Sequence, residues 1–179
     1  TITAVDTVTG PYDVIVQVSD GTRTDTQSIA VTVTPTNDAA PVITSNGGGA
    51  SVGVNVAENS TAITSVTALD ADLPAQALTY SIVGGVDAAK FSINAGTGAL
   101  SFLLAPDYEL PTDVGANNVF DVVVQVSDGT FTDSQAIAVS IVPVNDNAPI
   151  ITSDGGAAAA NVSIAENTTA VTTVTATDA

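Results

Sequence analysis

The chain has 179 residues, 45% hydrophobic but only 4% aromatic, and nineteen acidic residues face two basic ones, for a formal charge of −17. Two cations exclude a nucleic-acid partner, because phosphate recognition needs clustered Lys and Arg. The absence of Cys and His removes disulfides, thiol chemistry and imidazole catalysis, and no apolar run approaches the ~18 residues of a membrane span.

Strong net charge usually signals disorder, but charged residues are only 12% of this chain and apolar alternation is strong. In chain order, "TAITSVTALD" aligns Ile63, Val66 and Ala68 after one irregular step. "ALTYSIV" aligns Leu78, Tyr80 and Ile82. "VDAAKF" reads as a single helical turn, and "KFSI" adds Phe91 and Ile93. "VFDVVVQVSD" places Phe120, Val122, Val124 and Val126 on one face, and "SQAIAVSIV" does the same for Ile137, Val139 and Ile141. Period-2 alternation of Val, Ile and Thr predicts half-buried strands. Asn46-Gly47-Gly48-Gly49, Gly84-Gly85, "NAGTGAL" and "SDGTFTD" supply the turns. About seven short strands over ~100 residues predict an all-β, Ig-like Greek-key β-sandwich.

A shift of 108 positions lays the chain on itself without a gap. "YDVIVQVSDGTRTDTQSIAVTVTPTNDAAPVITS" meets "FDVVVQVSDGTFTDSQAIAVSIVPVNDNAPIITS", and about 38 of the 60 pairs from Tyr12 onward are identical. The division expected is the C-terminal part of one repeat (1–42), a complete repeat (43–150) and the N-terminal part of a third (151–179). The pattern is that of a window on a longer array.

In chain order the central repeat has "AEN" at Ala57–Asn59, "DAD" at Asp70–Asp72, "DAAKFSI" at Asp87–Ile93, "GTGAL" at Gly96–Leu100, "PDYE" at Pro106–Glu109, "VSDG" at Val126–Gly129 and "NDNAP" at Asn145–Pro149. Their order and spacing resemble cadherin repeats, especially the bacterial cadherin-like repeats found in tandem in large surface adhesins. The resemblance implies Ca2+ at the junctions between repeats. By position, Glu58, Asp107 and Glu109 would meet Asn145 and Asp146 of the following linker, with the Asn147 carbonyl, and Asp178 would approach from the next repeat. At the preceding junction, Asp70, Asp72 and Asp128 would meet Asn37 and Asp38. Ca2+ takes 6–8 oxygen ligands, and these groups are all oxygen donors. Cadherin linkers carry an acid two residues before the "ND" pair. Pro143 and Pro35 stand there instead, which implies that the central ion of three is weakened or lost.

Other acids read differently. Asp128-Gly129 suits a hairpin turn, with or without metal ligation. Asp25, Asp113, Asp121 and Asp133 read as solvated charge, and the sequon at Asn59 as an accident of the motif. With no candidate nucleophile–base pair, no enzyme is expected.

The expected function is a structural extender of a long extracellular adhesin or filament, rigidified by Ca2+ and contacting neighbouring repeats of its own chain or filament. The alternatives are an adhesive module for a glycan or a like repeat, and a subunit that polymerises by strand donation. A cell-surface or secreted address follows from the resemblance, because weak sites of ~0.1–1 mM fill with Ca2+ only outside cells.

Overall fold

The computed structural model describes residues 11–178, so the first ten residues of the expected 1–42 part lie outside the described residues. Strands β1 (Pro11–Ser19) and β2 (Thr24–Thr32) form an antiparallel hairpin. A sandwich follows, built from β3 (Val42–Ile43), β4 (Ser51–Ala57), β5 (Ala62–Ser65), β6 (Ala68–Leu69), β7 (Thr79–Gly84), β8 (Phe91–Ile93), β9 (Ala99–Phe102), β10 (Val119–Ser127) and β11 (Thr132–Val142). Beyond it, β12 (Ile150–Ile151) pairs with β13 (Ala176–Thr177).

One sheet of the sandwich has the order β4-β11-β10-β7, and the other has β5-β9-β8. Strand β4 runs parallel to β11, while β10 is antiparallel to both β11 and β7. The alternating residues expected on the inner faces are there: Phe120, Val122, Val124, Val126, Ile137, Val139 and Ile141 are all buried. Leu100, Phe102, Phe91 and Val66 close the core from the opposite sheet. Phe102 lies 4.8 Å from Phe91, stacked, and 5.1 Å from Phe120, edge to face. Offset and edge-on contacts of this kind add to the apolar burial.

About seven strands were expected, and nine segments are present because two strands are interrupted. The first break lies between β3 and β4. Thr44 and Ser45 both donate their N–H to the Thr67 carbonyl, and a single 3-10 turn at Ser45–Gly47 redirects the chain. Asn46 at φ 53° and Gly48 at φ 67° take the left-handed bend. The chain thus leaves β6, its partner in β3, and joins β11. The second break, between β5 and β6, is the irregular step seen after Ile63, and within β5 the register against β9 also shifts, between Ala62 and Thr64. Val66 donates to the Gly98 carbonyl within the break. Gly98 sits at φ 68°, and a Cβ there would collide with the Val66 carbonyl oxygen, so the approach of the two strands requires glycine. The helical turn expected at "VDAAKF" is a 3-10 turn at Ala88–Lys90.

Two acids, Asp113 and Asp133, correct the expectation of solvated charge. Asp113 is buried and accepts the Asn117 and Asn118 N–H groups at 2.9 and 3.0 Å, because the loop into β10 wraps around it. Asp133 is half-buried and accepts the Ile43 N–H at 2.8 Å, so it ties β3 to β11. Asp121 is exposed as expected, but its N–H donates to the buried Asp87 at 3.0 Å.

The 108-residue period survives in the geometry. The β1–β2 register (Pro11 opposite Thr32) matches that of β10–β11 (Val119 opposite Ser140), and β12–β13 repeats β3–β6. Burial does not follow the period: Tyr12 is exposed where Phe120 is buried. Phe120→Ala is therefore expected to cost about 3–5 kcal/mol of stability, and Tyr12→Ala under ~1 kcal/mol. Urea unfolding of each variant checks the contrast.

Candidate metal centres

Two groups of three carboxylates lie at opposite ends of the sandwich, each with ligand atoms within 4.8 Å of one another: Asp70, Asp72 and Asp128, and Glu58, Asp107 and Glu109. Both trios were expected from the sequence.

The first trio is assembled by the exit from β6 and the β10–β11 turn. Asp72 donates its N–H to Asp70 Oδ1 at 2.9 Å, which folds the short acidic phrase onto itself. Asp128 Oδ1 accepts the Thr130 and Phe131 N–H groups at 2.7 and 2.6 Å, so the hairpin turn uses one oxygen and leaves Oδ2 toward the trio. Burial pushes the Asp128 carboxyl up, but these bonds to its charged form outweigh it and hold it below its ordinary value. Asp72 is only 1% exposed. It accepts the Asp38 N–H at 3.1 Å and the Ala39 N–H at 3.1 and 3.2 Å, from the linker ahead of β3.

Asn37 completes the cradle. One polar atom of its amide lies 3.1 Å from Asp72 Oδ2 and 3.2 Å from Asp128 Oδ2. With nitrogen inward, the amide donates to both carboxylates. With oxygen inward, it adds a neutral ligand to three acids, an arrangement stable only around a cation. Asp70 Oδ2 is buried and has no hydrogen-bond partner. A buried, unpaired carboxylate oxygen is costly, and a hard cation in the cradle would satisfy it. The donor set, all oxygen and mostly anionic, fits Ca2+ rather than a softer metal. Asp38 contributes its backbone N–H to Asp72, and its side chain is exposed.

The second trio is more open. Glu58, just past β4, is 3% exposed, whereas Asp107 and Glu109 are exposed. Glu58 accepts the Tyr108 N–H on Oε2 and the Val144 N–H on Oε1, each at 2.7 Å. These two bonds, Tyr108 first, hold its carboxyl below the ordinary value. Asp107 Oδ1 accepts the Glu109 and Leu110 N–H groups at 3.0 and 3.1 Å. Glu109 is shifted the opposite way: burial raises its carboxyl, and the charges of Glu58, Asp146 and Asp107 add to the rise. Desolvation is the larger cause, and the part added by the neighbouring acids shows that no cation faces them there.

The linker residues divide. Asp146 reaches this trio, since its charge acts on Glu109, and it accepts a bond from the Asn59 side chain. Asn147 donates its side-chain amide to Asp146 at 3.1 Å. Asn145 is exposed, and Asp178 is exposed and stands outside the trio. Sequence reasoning missed Asn59, set aside there as a chance sequon. Its signal was the recurrence of "AEN", because Asn59 and Asn167 both adopt left-handed φ, 62° and 66°, a conformation Asn tolerates better than most residues.

No family profile matches the chain. It is 31% identical to human Protocadherin Fat 1 over 135 residues, covering 73% of the chain and 3% of that protein. It is 34% identical to chicken Protocadherin-15 over 146 residues, covering 78% and 7%. The chain thus spans only a few per cent of the length of these relatives. Among solved structures, the Protocadherin GammaB4 extracellular domain aligns with TM-score 0.60 and 26% identity, covering 80% of this chain and 23% of that one. Human CDH23 EC21-23 aligns with TM-score 0.65 and 20% identity, covering 94% and 54%, a likeness of fold. Fold, seam motifs and similarity agree: the chain contains a cadherin-like domain, with the all-β sandwich of cadherin extracellular repeats.

Proposed function

We propose that the chain is a structural extender from an extracellular adhesin or filament, of the kind bacteria display at their surface, and that Ca2+ at its inter-repeat junctions makes it rigid. On this reading residues 1–42, 43–150 and 151–179 belong to three successive repeats. The observation that carries the proposal is the cradle of Asp70, Asp72, Asp128 and Asn37, with an orphaned carboxylate oxygen at Asp70. Linker and sandwich both supply oxygens to it. A cation bound there joins two bodies, which is how a metal sets the angle of a joint. The second trio offers the same chemistry to the linker that leaves the sandwich, through Glu58, Asp107, Glu109 and Asp146.

Pro35 and Pro143 narrow the conformations of each linker before any metal arrives. The net charge of −17 keeps many copies from associating. Neighbouring repeats are then the principal partners, and stability is a sum over repeats and their interfaces.

Three outcomes are expected. A chain carrying two tandem copies of residues 43–150 should scatter as a rod in ~2 mM Ca2+ and as a hinged pair in excess EDTA; identical curves would sink the proposal. Asp70→Asn or Asp72→Asn should weaken Ca2+ binding at the first cradle on the order of 10-fold or more, read by calorimetric titration.

The third outcome concerns pH. Glu109 has a raised carboxyl, so it takes up a proton first as pH falls toward and through the region above 4.5. That uptake favours the metal-free fold and competes with the metal. Glu58 and Asp128 are lowered, so their contribution is present above their ordinary values and lost only as pH falls through the depressed ones. Ca2+ affinity at the second trio should therefore weaken earlier on acidification than at the first. Titrating Asp72→Asn and Glu109→Gln between about pH 7.5 and pH 5 separates the two sites.

A further inference from the structure

Glu58 and Asp72 do more than contribute charge to the two trios. Each is almost wholly buried and each holds main-chain N–H groups of a linker: Glu58 takes Val144 of the linker that leaves the sandwich, and Asp72 takes Asp38 and Ala39 of the linker that enters it. These bonds involve no metal. A carboxylate that accepts peptide N–H groups makes charge-assisted bonds, roughly twice as strong as neutral ones.

The two linkers are equivalent positions one period apart, so they can be laid on each other. Subtracting 108 places Val144 on Thr36 and Asp146 on Asp38. The Glu58 bond therefore falls immediately before the linker Asn, and the Asp72 bonds fall on the two residues immediately after it. Asn145, or Asn37 in the other copy, is the one residue that lies between the two held stretches.

We propose that Glu58 and Asp72 are positioning residues that latch the linker from its two sides in the metal-free protein, confining the swivel of the joint to the few torsions around that single Asn. Metal-free repeats then pivot about a point and do not trail on a seven-residue tether. The Asn side chain completes the lock: the Asn37 amide already lies against Asp72 and Asp128. A cation needs only to fix its oxygen inward to remove the remaining freedom. The proposal concerns the chain without metal, so it stands or falls separately from the Ca2+ reading, which the titrations above decide.

The test is amide hydrogen exchange of the 179-residue chain in excess EDTA, read residue by residue by NMR. In the unsubstituted protein, Val144 and Ala39 should exchange at least ~100-fold more slowly than Asn145 after correction for intrinsic rates, as bonded amides do. Glu58→Gln has one acceptor oxygen for two N–H groups and should bring Tyr108 or Val144 within ~10-fold of Asn145. Asp72→Asn should do the same for Asp38 or Ala39. The Val124 and Val139 amides of the core should keep their protection in both variants. Val144 and Ala39 exchanging as fast as Asn145 in the unsubstituted metal-free chain would overturn the proposal, whatever the variants do. Protection that persists unchanged in both variants would also overturn it, since another contact would then hold the linker.

Discussion

Carboxylates bonded to peptide N–H groups organise this molecule. With nineteen acids and two cations, the usual partner of a buried carboxylate is scarce. The backbone takes its place. Asp87 holds the Val114 and Asp121 N–H groups, Asp113 holds Asn117 and Asn118, Asp133 holds Ile43, and Glu58 spans Tyr108 and Val144. Each acid joins segments that the sheet ladders leave free. Loops that would otherwise carry unpaired N–H groups are pinned to strand ends, and negative charge is solvated by the fold itself. The seam acids are the same device at the ends of the sandwich, where the segment held is the linker.

That device explains why the two trios differ. Around Asp72, two of the acids are buried and Asp70 is half-buried, their bonds converge from three segments, and one oxygen on Asp70 is left with nothing to meet. Around Glu109, the acids are mostly exposed and the strain shows as resistance to ionisation. Both are deficits of positive charge, one expressed through geometry and the other through protonation. Water and protons can relieve the second but reach the first poorly. The proposed cation therefore has more to satisfy at the Asp70 end.

The sequence made the strands and the seam acids legible for different reasons. β10 and β11 alternate without interruption, and a period of two depends only on local geometry, so their faces could be read directly. The break in β5 was visible as an irregular step after Ile63. The sheet switch between β3 and β4 was not, because it depends on the Thr67 carbonyl, distant in sequence, meeting Thr44 and Ser45. Asp113 and Asp133 were misread for a related cause. An acid in a loop or on an outward-facing strand position looks solvated until a remote N–H is placed against it. The trios were legible because their motifs match a known family's order, and "AEN" and "VSDG" also recur one period apart. Their division of labour between metal cradle and latch rests on single hydrogen bonds and carries no sequence signal.

The hairpin β1–β2 marks the limit of pattern reading most sharply. It shares register and most of its residues with β10–β11, yet Tyr12, Val16 and Val18 are exposed where Phe120, Val124 and Val126 are buried. Alternation specifies which face of a strand is apolar. Whether that face is covered depends on β4, β7 and the second sheet, which pack on β10–β11 alone among the described residues. The hairpin nevertheless keeps its turn: Asp20 accepts the Thr22 and Arg23 N–H groups at 2.8 Å each, as Asp128 does one period later. The turn carboxylate thus makes the same pair of bonds where no second sheet covers the hairpin. Its second oxygen becomes part of a cradle only where an Asp-Ala-Asp phrase and a linker Asn are brought against it, as Asp70, Asp72 and Asn37 are brought against Asp128. On the proposed reading, a ligand position in this fold is a turn residue first, and the junction recruits an oxygen that the turn leaves free.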